Sequence, residues 1–241
     1  MRYLHYALAF LLIGIAAPIV HAFTMDNIMK GSLAPSSGEI SDNVTIASGL
    51  KEALSIGTVT AVNNLSTTGG YFDNEAIRIL LPEKMQRVAD ILKKAGYNRE
   101  IDAFILSMNK AAEKAVPKAK LIFIDAIKEM SVEDAKKVLN GGSTAATDYF
   151  KSKTSVHLFD AFKPEISSGM NEAGVTQAFQ AMTERYTSIL PFAKPESLDL
   201  DNYVTNKALD GLFYTVSQEE KKIRMDPSAR TTEILKKVFG R

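Results

Sequence analysis

The most regular pattern in this sequence is DNYVTNKALDGLFYTVSQEEKKIR, residues 201–224. Its apolar side chains recur with the 3.6-residue period of an α-helix and therefore form a stripe along one helical face. That stripe contains Thr205, Leu209, Leu212, Phe213, Val216, Glu220 and Ile223. Because an amphipathic helix of this kind must bury its stripe against other helices, the pattern predicts a helical bundle.

Two residues of this helix are unusual. A glycine inside a helix, here Gly211, costs about 1 kcal/mol relative to alanine, and a close approach of another part of the chain would offset that cost. Glu220 lies near the centre of the apolar face, where a carboxylate needs a partner. Arg224, one turn further on, and Arg78, from an early loop, are the candidate partners.

Comparable patterns predict helices along most of the remaining chain. The predicted helices cover residues 44–65, 82–95, 100–116, 117–130, 131–140, 144–151, 155–170, 175–190 and 233–239. The sequence AIRIL, residues 76–80, is a short strand-like piece, but no convincing pair of strands is present. The predicted fold is therefore all-α, a single multi-helix bundle of about nine helices without a substantial sheet.

The N-terminus has the composition of a secretion signal. Arg2 supplies a positive start, residues 4–20 are nearly all apolar, and in Val20-His21-Ala22 the first and third residues are small, as a signal-peptidase cleavage site requires. A membrane anchor is the alternative, but Pro18 interrupts the apolar run, which is short for a membrane span. We predict a cleaved signal peptide over residues 1–22, a flexible leader over 23–43 and a single helical domain over 44–241, in a periplasmic or secreted protein.

Composition argues against several classes of function. Loss of Arg2 with the signal would leave equal numbers of basic and acidic residues, which argues against a nucleic-acid-binding protein. The sequence has no cysteine, so it contains neither disulfides nor thiolate metal sites. Only His157 would survive processing, and we interpret it as a surface or boundary residue. We predict no cofactor and no metal.

Sequence motifs for catalysis are equally scarce. The chain contains no G-x-S-x-G elbow, no Walker loop, no dinucleotide-binding fingerprint and no H-E-x-x-H. The run GGST, residues 141–144, could bind a phosphate through backbone N–H groups. We favour the simpler interpretation that it ends one helix and caps the next.

Methionine and phenylalanine occupy many of the predicted apolar faces. These residues are Met85, Met108, Met130, Met170, Met182, Phe104, Phe123, Phe162 and Phe179. Flexible methionine side chains suit adaptable apolar pockets, so the pattern is compatible with an apolar ligand in the interior as well as with ordinary core filling.

Several blocks of the sequence together resemble a known family. They are GLKEAL (49–54), IRILLPEKM (77–85), MNKAAEKAVPKAK (108–120), FIDAIKEMSVEDAKKVLNG (123–141), NYVTNKALDGLF (202–213) and EEKKIRMDP (219–227). The chain is similar, from about residue 48 to 239, to the bacterial exported family known as domain of unknown function 4197. The resemblance implies a helical, secreted or periplasmic single-domain protein of a Gram-negative bacterium. It implies no activity and gives no residue a catalytic role.

Three functions follow as hypotheses. The first is a non-enzymatic binding protein of the cell envelope that holds an apolar or lipid-like ligand or a partner protein. The second is a carboxylate-based or metal-dependent hydrolase that uses Glu220. The third is a structural or assembly factor of the envelope that uses the tail at 231–239. Polar residues beside apolar helix faces are the candidate ligand-binding residues: Arg78, Asn109, Glu113, Lys207, Asp210, Glu220 and Arg224.

Overall fold

The computed structural model describes residues 37–172, 174–189, 199–226, 228 and 236. The predicted signal peptide at 1–22 and the predicted C-terminal helix at 233–239 lie outside the described residues, apart from Lys236. None of the described helices combines the length and the apolar character needed to cross a membrane.

The described part of the chain is all-α, as predicted. Its eight helices are α1 (Ser37–Leu65), α2 (Glu83–Lys94), α3 (Asn98–Ala115), α4 (Ala119–Glu129), α5 (Val132–Asn140), α6 (Ala145–Glu172), α7 (Val175–Ile189) and α8 (Leu200–Met225). A 3-10 turn at Val116–Lys118, which contains Pro117, separates α3 from α4. These residues contain no strand.

The described residues form eight helices and not the predicted number of about nine. The two helices predicted at 144–151 and 155–170 are one helix, α6, because nothing between them interrupts the backbone hydrogen bonds. Thr154 is buried there, and its hydroxyl donates to the Phe150 carbonyl at 2.7 Å, which satisfies it inside the helix. Helix α1 also begins earlier than predicted, at Ser37 and not at residue 44.

Helix α6 is the centre of the bundle. It packs against α3, α4, α5, α7 and α8, while α1 packs against α4, α5 and α8. Aromatic side chains fill the space between these helices: the ring of Phe123 lies 5.1 Å from that of Phe150 and 6.2 Å from that of Phe213, measured between centroids. Full burial of one such side chain contributes about 1.5–3 kcal/mol.

The methionines and phenylalanines of the predicted apolar faces lie in this core. All are buried except Phe179, which is half-buried and packs against the core. Their positions agree with core filling.

Helix α8 buries the stripe that its sequence predicts. The residues from Thr205 to Glu220 in that stripe are buried, and Ile223 is half-buried. A side chain at Gly211 would have no space, because a Cβ atom built there lies 2.6 Å from Cε1 of Tyr71 and 3.2 Å from Cβ of Ile77. The glycine therefore permits the close approach that its position suggested.

Residues 77–81, between α1 and α2, begin at the end of a turn closed by Asn74 and contain no helix. Burial alternates along it: Ile77, Ile79 and Leu81 are buried, Arg78 is half-buried and the Leu80 side chain is 55% exposed. This period of two is typical of a β-strand, although the segment pairs with no other strand in the described chain. We call residues 77–81 the extended segment.

Candidate functional site

The seven candidate residues lie in three separate places. Arg78, Lys207 and Asp210 line one surface groove. Asn109 and Glu113, both on α3, lie behind the loop and the extended segment that precede α2. Glu220 and Arg224 lie together at the other end of α8. The seven residues predicted from the sequence therefore do not form one site.

The groove runs between the extended segment and the N-terminal half of α8. Its volume is about 710 Å³, within the range of about 300–1,000 Å³ usual for ligand sites. One wall is formed by residues 76–78, 80–84 and 86, and the other by Tyr203, Lys207, Asp210, Gly211 and Tyr214. The latter residues share one face of α8 because they are spaced by one or two helical turns.

Asn109 holds the extended segment in place from the core side. Its side-chain oxygen accepts a hydrogen bond from the Ile79 N–H at 2.9 Å, and its Nδ2 donates to the Ile79 carbonyl at 2.9 Å. Nδ2 also donates to the carbonyl of Ile105, one turn back on α3, at 2.8 Å. One fully buried amide thus satisfies both backbone groups of Ile79, as a neighbouring strand would.

On the groove side, Tyr203 connects α8 to the same segment. Its hydroxyl donates to the Leu80 carbonyl at 2.9 Å. Partial burial raises the pKa of Tyr203 above its ordinary value, and the nearby charge of Glu83 raises it further. The phenol is therefore a neutral donor at physiological pH.

Arg78 is fixed in position but has no acidic partner. Its Nε donates to the Phe72 carbonyl, and the guanidinium carbon lies 4.9 Å from the centre of the Phe72 ring. No carboxylate within the described chain lies within ion-pair distance of it, whereas Lys207 and Asp210 form a loose pair at 3.9 Å. Arg78 consequently offers its terminal nitrogens to an anion from outside.

Glu113 anchors the loop before the extended segment. One of its carboxylate oxygens accepts hydrogen bonds from the backbone N–H groups of Tyr71, at 3.1 Å, and Phe72, at 3.4 Å. The Tyr71 hydroxyl donates to the Ala208 carbonyl of α8 at 2.7 Å. Complete burial raises the pKa of Tyr71, and the charge of Glu113 adds to that effect. Glu113 therefore positions one wall of the groove without lining it.

Glu220 and Arg224 join the ends of two other helices to α8. The Glu220 carboxylate accepts hydrogen bonds from the N–H groups of Ala146 and Thr147, both at 2.9 Å, and from the Thr147 hydroxyl at 2.8 Å. Arg224 pairs with the same carboxylate at 2.9 Å and donates to the carbonyls of Val138 and Leu139. A negative charge thus lies at the N-terminus of α6 and a positive charge at the C-terminus of α5, where each helix dipole favours it.

This arrangement also accounts for the GGST run at residues 141–144. The run lies between the end of α5 and the start of α6, and Gly141 is the C-cap residue of α5, which agrees with the predicted helix end. Two of the N–H groups that a phosphate would need at the start of α6 already bind the Glu220 carboxylate. The neighbouring apolar cavity has a volume of about 20 Å³, enough for about one water molecule.

A second groove, of about 410 Å³, lies between α4 and α6. Its lining includes Asp125, Glu129, Lys153 and His157, and His157 is exposed there, in agreement with a surface position. Within the described residues, no three His, Cys, Asp or Glu side chains are grouped so that they could hold a metal ion.

Leu80, Tyr203 and Tyr214 are among the lining residues of the first groove that were missed at the sequence level. The signal that could have found the tyrosines is their spacing, because they fall on the same polar face of α8 as Lys207. For Leu80, the only signal in the sequence is its place in the strand-like piece at residues 76–80. Its contact with Tyr203 joins residues 123 positions apart, and helical periodicity does not carry that information.

The fold and the groove define an all-α protein with a mixed polar and apolar surface cleft. The sequence matches the model of the family described as Protein of unknown function (DUF4197) over residues 41–240. The chain belongs to this family. Neither the curated proteins nor the solved structures contain a significant match.

Proposed function

We propose that this protein is a non-enzymatic binding protein and that the groove between the extended segment and α8 is its binding surface. The observation that carries the proposal is Arg78, a half-buried guanidinium that is held by Phe72 and lacks a carboxylate partner in the described chain. A cation fixed in this way loses little conformational freedom when it binds an anionic group.

The groove is a better candidate than the interior. The methionine and phenylalanine side chains that suggested an internal apolar ligand line none of the three cavities described above. The groove, by contrast, combines exposed apolar surface at Leu80 and Tyr214 with hydroxyl and charged groups. Such a mixture is typical of sites that orient a ligand by a few polar contacts.

The predicted signal peptide supports a location in the periplasm or outside the cell. The proposal therefore places the partner, whether a protein or an apolar molecule, in the cell envelope.

The hydrolase alternative has less support. The carboxylate oxygens of Glu220 are already engaged by two backbone N–H groups, a hydroxyl and a guanidinium. A catalytic carboxylate needs access to a substrate or to a water molecule, and the adjoining cavity is too small for a substrate. The assembly-factor alternative depends on the tail at 231–239, which lies outside the described residues except for Lys236, and it stays a prediction.

Site-specific photocrosslinking in the producing cell tests the proposal. A photoreactive residue in place of Tyr214 lies in the groove, whereas the same residue in place of Val156, which is 71% exposed on α6, is the control. We expect one defined adduct, identified by mass spectrometry, from position 214 only, and we expect Arg78→Gln to suppress it. Equal adducts from both positions, or none from position 214, would contradict the proposal.

A further inference from the structure

We infer that the groove binds an extended peptide segment of a partner protein, which adds as a strand along residues 78–80 and places a carboxylate beside Arg78. This inference rests on the proposed function, because it specifies the chemistry of the molecule that the same groove binds.

The first argument is that Asn109 satisfies one edge of the extended segment, whereas the other edge, here called the open edge, is satisfied only at the Leu80 carbonyl. Asn109 occupies both backbone groups of Ile79. In an extended chain the N–H and C=O of one residue point to the same side, and those of the next residue point to the opposite side. Those of Leu80 therefore point away from Asn109, and the hydrogen bond from Tyr203 to the Leu80 carbonyl confirms that this side faces α8.

The second argument is that the open edge still has hydrogen-bonding capacity. Neither the Leu80 N–H nor the Arg78 carbonyl has a hydrogen-bond partner within the described chain. These two groups flank Ile79, and in a parallel ladder they bond to the C=O and the N–H of a single residue of the adjacent strand. A polypeptide backbone supplies that donor and acceptor at the required spacing, as in complexes in which a peptide adds to a free strand edge.

The third argument is electrostatic. The groove lining contains three basic residues, Arg78, Lys84 and Lys207, and two acidic ones, Glu83 and Asp210. Asp210 is loosely paired with Lys207, so Arg78 is the cation best placed for an incoming acid. A guanidinium binds a carboxylate with two parallel hydrogen bonds, which favours an acidic side chain or a C-terminal carboxylate at this end of the peptide.

The side chains around the edge fit such a strand. Leu80 and Tyr214 are exposed, at 55% and 43%, and Tyr203 is half-buried. Aromatic and apolar side chains beside a strand edge bind alternate side chains of the added peptide. We therefore expect an apolar or β-branched residue of the peptide to pack against them.

The test uses a phage-displayed library of random linear peptides, selected on the full-length purified protein. Peptides that are enriched are then measured against two matched variants. Leu80→Pro removes the N–H of residue 80, which makes no hydrogen bond in the described chain, and the residue before a proline favours the extended conformation. Leu80→Ala keeps the N–H and removes the side chain.

We expect enriched peptides that carry an acidic residue and that bind Leu80→Pro about tenfold more weakly than Leu80→Ala. A second comparison does not depend on the fold of the proline variant. Replacing the peptide's acid by its amide should weaken binding to the wild type by about tenfold and leave binding to Arg78→Gln nearly unchanged.

Enrichment of no peptide, or equal binding to the proline and alanine variants together with no coupling to Arg78, would overturn the inference. The proposed function fails in a different way. If a lipid or another small molecule crosslinks at position 214 while no peptide is enriched, the groove is still a binding surface but its ligand is not a peptide. If position 214 captures nothing, the proposed function itself is contradicted.

Discussion

Replacement of Glu220 by glutamine separates a structural role for this carboxylate from a catalytic one. Glu220 is buried, and the side chains of Glu220 and Arg224 are only 5% and 12% exposed. The substitution keeps the size and shape of the side chain. It removes the charge and replaces one acceptor oxygen by an NH₂ group that cannot accept a hydrogen bond.

The magnitude follows from the contacts. One carboxylate oxygen accepts from the Ala146 N–H and from Arg224, and the other accepts from the N–H and hydroxyl of Thr147. In either orientation the glutamine NH₂ faces a backbone N–H, which leaves a buried donor unpaired at about 1–3 kcal/mol. Loss of one partner of a buried ion pair costs about 3–5 kcal/mol. Because Arg224 keeps its bonds to Val138 and Leu139, we expect a loss of about 3 kcal/mol in the free energy of unfolding, at the lower end of that range.

Urea unfolding followed by circular dichroism measures this loss. The matched control is Glu172→Gln, because Glu172 pairs with Lys114 on the surface and is 62% exposed. Solvent screens such a pair, so we expect the control to leave the midpoint nearly unchanged. If Glu220→Gln were as stable as the control, the structural role of Glu220 would be refuted, and the hydrolase hypothesis would regain support.

Three further predictions concern the groove wall and helix α5. Gly211→Ala should destabilise the fold by about 1–3 kcal/mol because the added Cβ lies 2.6 Å from a buried tyrosine ring. Gly142→Ala is the control: a Cβ added there meets no atom within 4 Å beyond its chain neighbours, so the urea midpoint should change little. Asn109→Ala leaves one N–H and one C=O of the extended segment unpaired, so the free energy of unfolding should fall by about 2–4 kcal/mol and the central amide of the segment should exchange faster with deuterium. Hydrogen bonds from the Ser131 hydroxyl and backbone N–H lower the pKa of Asp134. The stabilisation from this carboxylate is therefore complete above the pKa of an unfolded aspartate, and it is lost as the pH falls through the lowered pKa of the folded state. The difference in the free energy of unfolding between wild type and Asp134→Asn should consequently disappear in acid.

The features of α8 that could be predicted from the sequence are local ones. Its buried stripe and the contact between Glu220 and Arg224 follow from the period of 3.6 residues, and the close approach at Gly211 follows from the cost of a glycine inside a helix. An i, i+4 pair on a helix is close in space whatever the rest of the fold does. The capping serine of α5, Ser131, is local in the same sense, and its side chain accepts the Asp134 N–H at 3.0 Å.

The groove could not be predicted in this way because it depends on contacts between distant parts of the chain. Ile79 and Asn109 are 30 positions apart, and Leu80 and Tyr203 are 123 positions apart. Periodicity shows which face of a helix is buried, but not which loop that face meets. For the same reason the sequence suggested Arg78 as a partner of Glu220, although Arg78 contacts Phe72 instead.

Hydrogen–deuterium exchange tests the central claim most directly, since it locates a binding surface even when the ligand is unidentified. The protein isolated gently from its producing cells is compared with the same protein after unfolding and refolding in pure buffer, which strips bound molecules. We predict that the isolated form is protected at the extended segment, above all at the Leu80 amide, and along the part of α8 from Tyr203 to Tyr214. Protection that appears instead along the second groove, between α4 and α6, or an identical exchange pattern in both forms, would contradict the account.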